Sequence, residues 1–155
     1  MPNPDLRTDL YRRLHQKHLD DQQRRLYSAE RVLRVVFERV RPKSVLDVGC
    51  GPGLWLAVSE ALGADDIAGV EGPWIERGST LVRSHCITTR DLEAGFDLER
   101  RFDLVLSIEV AEHLSPAAAK PFVASLVRHA EFVLFSAAIP FQPGTGHINC
   151  QFADY

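Results

Sequence analysis

Apolar and polar residues run along this chain in blocks whose period switches between that of a helix and that of a strand. Residues 4–18 and 20–40 read as helices. In the second, Val32, Leu33, Val35, Val36 and Val40 recur at helical spacing, so one face is expected to be buried. Ser28, followed by Glu30 and Arg31, is a start or restart signal, and Pro42 ends the segment. Beyond it come short continuous apolar runs at 44–49, 67–70, 85–89, 102–108 and 132–138, which predict about five strands. Helices are expected between them at 54–62, closed by Gly63, and at 73–83. A third starts at Ser115-Pro116, with serine as N-cap and proline at the first helical position, and runs to about His129. Pro140 stops the fifth strand. Continuous apolar strands alternating with helices predict a parallel sheet covered on both faces, and right-handed crossovers make it a doubly wound α/β fold. There is no internal repeat and no long linker, so the chain of 155 residues is expected to form a single domain.

The junction of the first strand and its helix, Ser44 to Val58, carries the most chemistry. Asp47 stands at the strand's end, and Gly49, Gly51 and Gly53 follow at alternate positions, with Cys50 inside the turn. Glycines there let the backbone turn sharply and come close to a ligand. A dinucleotide fingerprint needs G-x-G-x-x-G or G-x-G-x-x-A. Counted from Gly49 the third position is Leu54, and from Gly51 it is Leu56, so neither frame fits. Asp47 would also repel a pyrophosphate, whereas a carboxylate suits a cationic ligand such as S-adenosylmethionine, which carries a sulfonium and an ammonium and no phosphate. The pattern D-x-G-x-G-x-G resembles motif I of the class I S-adenosylmethionine-dependent methyltransferases, and the resemblance implies a Rossmann-like core at 44–139 using that cofactor.

Further acids stand at strand ends. Glu71, with Gly72 after it, closes the second strand about 20 residues past the glycine turn, where an acid can accept the ribose hydroxyls of an adenosine. Asp91 and Leu92 close the third, where the carboxylate can take the adenine amino group and the Leu92 amide a ring nitrogen. Phe102 to Leu114 reads F-D-L-V-L-S-I-E-V-A-E-H-L and is similar to the F-D-x-V strand and E-V-x-E-H-L run of the same family. The resemblance implies that Ser107, Ile108 and Glu109 line the methionine end of the cofactor and that His113 faces the reacting methyl. The segment Gly146-His-Ile-Asn-Cys-Gln-Phe152 resembles the G-H-x-N-E-Q-W of some small-molecule methyltransferases, with Cys150 in place of the acid and Phe152 in place of the tryptophan. His147 and Asn149 are therefore substrate-side candidates. His113 and His147 are the candidate catalytic bases in a methyl transfer to a small-molecule acceptor by in-line displacement, with S-adenosyl-L-homocysteine as product.

Charge and cysteine content narrow the picture. Residues 1–43 hold eleven Lys/Arg against six Asp/Glu, and the rest holds seven against fifteen. This basic segment reads chiefly as the solvated face of amphipathic helices. It is expected to form a helical lid over residues 1–40, with Tyr11, His15, His18 and Tyr27 able to meet substrate. It also keeps an RNA or protein methyltransferase open as an alternative. Ser107-Ile-Glu-Val110 stands where base N-methylating enzymes carry N-P-P-Y or D-P-P-Y, which argues against nucleic acid. Cys50, Cys86 and Cys150 are odd in number and widely separated, which argues against a zinc site or disulfides and fits a reducing cytoplasm. Neither a signal peptide nor an apolar run near the ~18 residues of a membrane span is visible. The family's sheet usually has seven strands. With five, the last is expected to be an exposed apolar edge, covered either by chain beyond Tyr155, the 140–155 loop then being truncated, or by a homodimer. A cofactor-binding interaction subunit without catalysis is the remaining alternative.

Overall fold

The computed structural model describes residues 22–75 and 77–152. The helix expected at 4–18, and with it Tyr11, His15 and His18, lies outside the described residues. Within them the chain runs α1 (Gln22–Val40), β1 (Ser44–Val48), α2 (Leu54–Ala61), β2 (Asp66–Glu71), β3 (Ile87–Thr89), β4 (Leu104–Ile108), α3 (Ala119–His129) and β5 (Phe132–Ser136). All strand pairs are parallel, in the order β3-β2-β1-β4-β5. The order reverses between β1 and β4, and that reversal opens the ligand crevice at the carboxyl ends of these two strands.

β1 and β4 are apolar at nearly every position because both of their faces are covered. Val45, Leu104 and Leu106 join the core beneath α1 and α2, together with Ala29, Leu33, Leu54, Leu56 and Val58. Leu46, Val48 and Val105 join the core beneath α3, together with Phe122 and Leu126. Asp47 is the charged exception, paired across to Gly69 on one side and Leu106 on the other. At the opposite end of the sheet, Asp103 holds the register of β1 on β4. Its carboxylate accepts the amides of Lys43 and Ser44 at 2.7 and 2.8 Å and the Ser44 hydroxyl at 3.0 Å. These donors keep the Asp103 carboxyl below the usual carboxylate range.

Two expectations change. No α-helix forms over 73–83; among the described residues that stretch holds only a 3-10 turn at Arg77–Ser79. Pro73 and Gly78 sit within it with β-branched Thr80 and Val82, a poor set of helix formers. Ser115 is not a side-chain N-cap. Its hydroxyl and its amide both donate to the Glu93 carboxylate, and the chain passes through a 3-10 turn, Pro116–Ala118, before α3 begins. No helix among the described residues is long and apolar enough to cross a membrane.

Candidate functional site

The turn after β1 is built by left-handed backbone. Gly49, Gly51 and Gly53 have φ of +80°, +52° and +84°, a region that L side chains rarely adopt. Their surroundings differ. A Cβ on Gly49 would lie 2.4 Å from Val110 Cγ2, and one on Gly53 2.7 Å from Val82 Cγ2. Gly51 faces open space. So Gly49 and Gly53 admit packing partners from elsewhere in the chain, and Gly51 alone of the three leaves the backbone bare for a ligand. The turn is tied to the end of β2: Gly49 N donates to Val70 O at 2.8 Å, and Gly51 N to Glu71 Oε2 at 2.6 Å.

A cavity of about 300 Å³ opens over this turn. Gly49, Cys50, Gly51, Ile108 and Glu109 line it, together with Trp55 of α2 and Arg24, Arg25 and Ser28 from the first turns of α1. Glu109 stands just past β4 with φ +57°, a strained conformation for a side-chain-bearing residue. Its carboxylate takes the Ser136 hydroxyl and its amide donates to Ser136 O at 2.8 Å, so β5 holds the strain in place.

Beneath the turn lies a pair of buried acids. Asp47 is 2% exposed and Glu71 6%. Burial, and then the neighbouring Glu71 charge, pushes the Asp47 carboxyl up to about 8. Burial also raises Glu71, but less freely, because Glu71 accepts the amides of Gly72 and Gly51 and the Trp74 indole N–H, all of which favour its ionised form. Asp47 Oδ2 is buried without a hydrogen-bond partner, and so is Arg25 Nε. Arg25 stands in the cavity wall, whereas Asp47 lies in β1, two residues before the turn, and is not part of that wall. Burial likewise raises the Cys50 thiol well above its ordinary value, and the residue packs against Gly69.

Other expected residues stand apart from the cavity wall. Ser107 is buried, with its hydroxyl unpartnered. Leu92 belongs to the α3-side core, and Asp91 is exposed, its Oδ1 accepting the Glu93 amide at 3.0 Å. Gly72 lies against the Trp74 ring, which a Cβ there would meet at 2.0 Å. Tyr27 is 62% exposed.

His113 and His147 do come together. Their rings meet edge-on with centroids 5.2 Å apart. His113 Nδ1 lies 3.1 Å from Gly146 O, and the backbone oxygen of Glu112 accepts the amides of Ile148 and Asn149 at 2.8 and 3.1 Å. These bonds strap the segment after β5 onto the turn after β4. The same segment places Asn149 Oδ1 against Gln151 Nε2 at 2.8 Å.

Sequence reasoning missed three participants. Glu112 was only a letter in a motif, yet it is fully buried, and neither carboxylate oxygen has a partner within good hydrogen-bond geometry, with only its own amide and that of Ala138 nearby. Trp74 could have been found from its place just past Glu71-Gly-Pro. Arg25 carries no local signal, since a basic residue on an amphipathic helix is ordinary.

A family model described as a methyltransferase domain matches residues 19–134. Among solved structures, the sugar N-methyltransferase KedS8 from Streptoalloteichus sp ATCC 53650 is 32% identical, with a TM-score of 0.57, over 75% of this chain and 51% of that one. DesVI from Streptomyces venezuelae is 23% identical with a TM-score of 0.62, over 88% of this chain and 59% of that one. The glycopeptide N-methyltransferase MtfA complexed with S-adenosyl-L-homocysteine is 18% identical with a TM-score of 0.52, over 67% and 49%. The last two likenesses are of fold alone. The chain spans about half to three-fifths of the length of these structures. No curated protein matches it.

Proposed function

The chain belongs to the methyltransferase-domain family, and from that premise we propose that it transfers a methyl group from S-adenosylmethionine to a small-molecule acceptor. The observation that carries this reading is the orphaned, buried Asp47 carboxylate beneath a glycine turn at the strand-order reversal. Its raised pKa marks a site short of positive charge. The sugar N-methyltransferase KedS8, at 32% identity, supports a small-molecule acceptor.

S-adenosylmethionine, when bound, supplies an electrophilic methyl on a cationic sulfur whose departure leaves a neutral thioether. The protein's work is therefore alignment, which contributes about 7–11 kcal/mol in well-oriented systems. Asp47 balances the cofactor's positive charge from below the turn, and Arg25 meets its carboxylate. Gly49, Cys50 and Gly51 form the floor. Glu71 would accept the ribose hydroxyls, with Gly72 beside it and Gly53 shaping the turn. Asp91 and Leu92 hold the adenine, and Ser107, Ile108 and Glu109 the methionine end. His113 and His147 stand on the acceptor side, where one of them takes the proton released as the nucleophile is methylated. The displacement is in-line. α1, whose first turns supply Arg24, Arg25 and Ser28 to the cavity wall, is the described portion of the segment proposed as a lid.

The single-domain organisation, with a core at 44–139 and a substrate-side segment at 140–155, is part of the same proposal. Three well-separated free cysteines fit a cytoplasmic protein. The partner surface is the outer edge of β5, where Phe132 and Phe135 are about half exposed, and a second copy of the chain covers it.

Calorimetric titration with S-adenosylmethionine and S-adenosyl-L-homocysteine, run beside Asp47→Ala, tests the proposal. Micromolar binding that the variant loses is the expected result. A folded wild type that binds neither compound would overturn it and favour a cofactor-free interaction subunit.

A further inference from the structure

The widely separated cysteines gave no metal site, and the ligands that the fold assembles are of another kind. Glu112, His113 and His147 each present one ligating atom, and these atoms lie within 4.8 Å of one another. His147 Nε2 is 4.0 Å from Glu112 Oε1. We propose that these three side chains bind one divalent transition-metal cation such as Zn²⁺.

The carboxylate is the first argument. Glu112 is fully buried, and neither oxygen has a partner within good hydrogen-bond geometry, although its own amide and that of Ala138 approach the carboxylate. An unpaired buried carboxylate is costly. Its 4.0 Å approach to His147 is too long for a hydrogen bond, but a cation between the two groups would satisfy both. The imidazoles are the second argument. His113 Nδ1 lies 3.1 Å from Gly146 O, and His147 Nδ1 3.3 Å from Gln142 O. A carbonyl only accepts, so Nδ1 carries the proton in both rings and Nε2 is the basic nitrogen. Ligating histidines are oriented in this way by an outer carbonyl. Gly144 is the third. A Cβ there would lie 2.0 Å from the His147 ring, so the absence of a side chain lets the ring sit against the backbone.

Donors bound at 2.0–2.2 Å around one tetrahedral ion lie roughly 3.4 Å apart. Closing from the observed spacing needs shifts of about 1 Å, which two half-buried side chains can supply. Two nitrogens and one carboxylate suit a borderline ion better than Mg²⁺ or Ca²⁺, which favour all-oxygen shells. With Glu112 at the floor and the imidazoles partly exposed, the remaining coordination positions open to the accessible side. The site adjoins Glu109 and Val110, the residues that close the cofactor turn. Resting on the methyl-transfer reading, a cation here selects an acceptor that offers a hydroxyl or amine as a ligand and lowers that group's pKa. In the loaded protein the two histidines are ligands and not bases: the metal lowers the acceptor's pKa, and the acceptor's proton leaves to solvent before or as the methyl arrives.

The test is Co²⁺ titration of the chelator-treated full chain, read by visible absorption and calorimetry. Glu112→Gln, His147→Ala and, as a control, the exposed His85→Ala are run in parallel. S-adenosyl-L-homocysteine binding and circular dichroism are recorded on every sample. One equivalent of Co²⁺ should bind the wild type and His85→Ala alike. Each ligand variant should lose more than the roughly 100-fold that an outer-shell loss can reach, while remaining folded. A folded wild type that binds no Co²⁺, or ligand variants that bind it as the wild type does, would overturn the site. Because the readout does not use turnover, loss of S-adenosyl-L-homocysteine binding alone would count against the methyltransferase reading and leave the metal result standing.

Discussion

Asp47 is the residue on which the proposed cofactor binding turns. Its folded-state pKa of about 8 stands above the ordinary 3.8. A carboxyl raised by folding contributes stability that is complete below the unfolded value and is lost as the pH climbs through the folded one. Thermal stability should therefore fall between about pH 4 and pH 8 from this group, and Asp47→Asn should flatten that part of the profile; melting curves across the range check it. The same proton governs binding. Below pH 8 Asp47 must ionise to face a cation, so S-adenosylmethionine affinity should rise by up to about tenfold per pH unit towards that value. Calorimetry at several pH values would reveal this, and a flat profile would remove Asp47 from the site. For the histidines, His113→Ala and His147→Ala should each cut turnover by about 10²- to 10⁴-fold if that ring is the base. Cofactor affinity should stay nearly unchanged; if it falls with turnover, the ring is structural.

Among the elements, the turn after β1 was legible in detail because its requirement is local. Left-handed φ at three alternate positions almost demands glycine, and a glycine pattern is visible in any sequence. What the pattern hides is why each glycine is there. Gly49→Ala should cost about 1–3 kcal/mol from backbone strain and more from the Val110 contact. Adding Val110→Ala should recover only the second part, as denaturant melts of the single and double variants would show. The 73–83 segment was misread for the opposite reason. A helix was expected there between two strands, but Val82 instead fills the space that Gly53 leaves beside the turn. Ser115 was misread because capping was inferred from neighbours in sequence, and Glu93, which captures its hydroxyl, comes from the loop after β3. His129 ends α3. It is fully buried, its ring stacks on Phe96, and its Nε2 accepts the Leu98 amide at 2.9 Å, so it serves the core and not the site. Phe122→Ala in the middle of the same helix removes a fully buried ring and should cost about 3–5 kcal/mol.

At the scale of the whole molecule, the sheet has two edges, and β5 is the apolar one. Phe132, Phe135 and Ile139 are about half exposed and Phe141 almost wholly so. Unpaired apolar strand edges of this kind drive association in solution. Light scattering should therefore report a dimer, and Phe135→Lys should shift it towards monomer while leaving S-adenosyl-L-homocysteine binding intact. A wild type that is monomeric and does not aggregate would sink the β5 interface.

The sequence by itself determined the class of sheet, the order of its strands along the chain, the glycine turn and the acids at the strand ends. Each of these follows from short-range rules: apolar runs for strands covered on both faces, left-handed backbone for glycine, and chain direction for which end of a parallel strand faces the ligand. Only the tertiary structure decided the order β3-β2-β1-β4-β5, which sets β4 beside β1 and so brings Ile108 and Glu109 to the glycine turn. It alone brought Arg25 to the cavity wall, the Trp74 indole onto Glu71, and His147 to within reach of Glu112 and His113. These meetings depend on contacts between residues far apart along the chain. Their energy comes from closing the fold as a whole, and no spacing in the sequence records it.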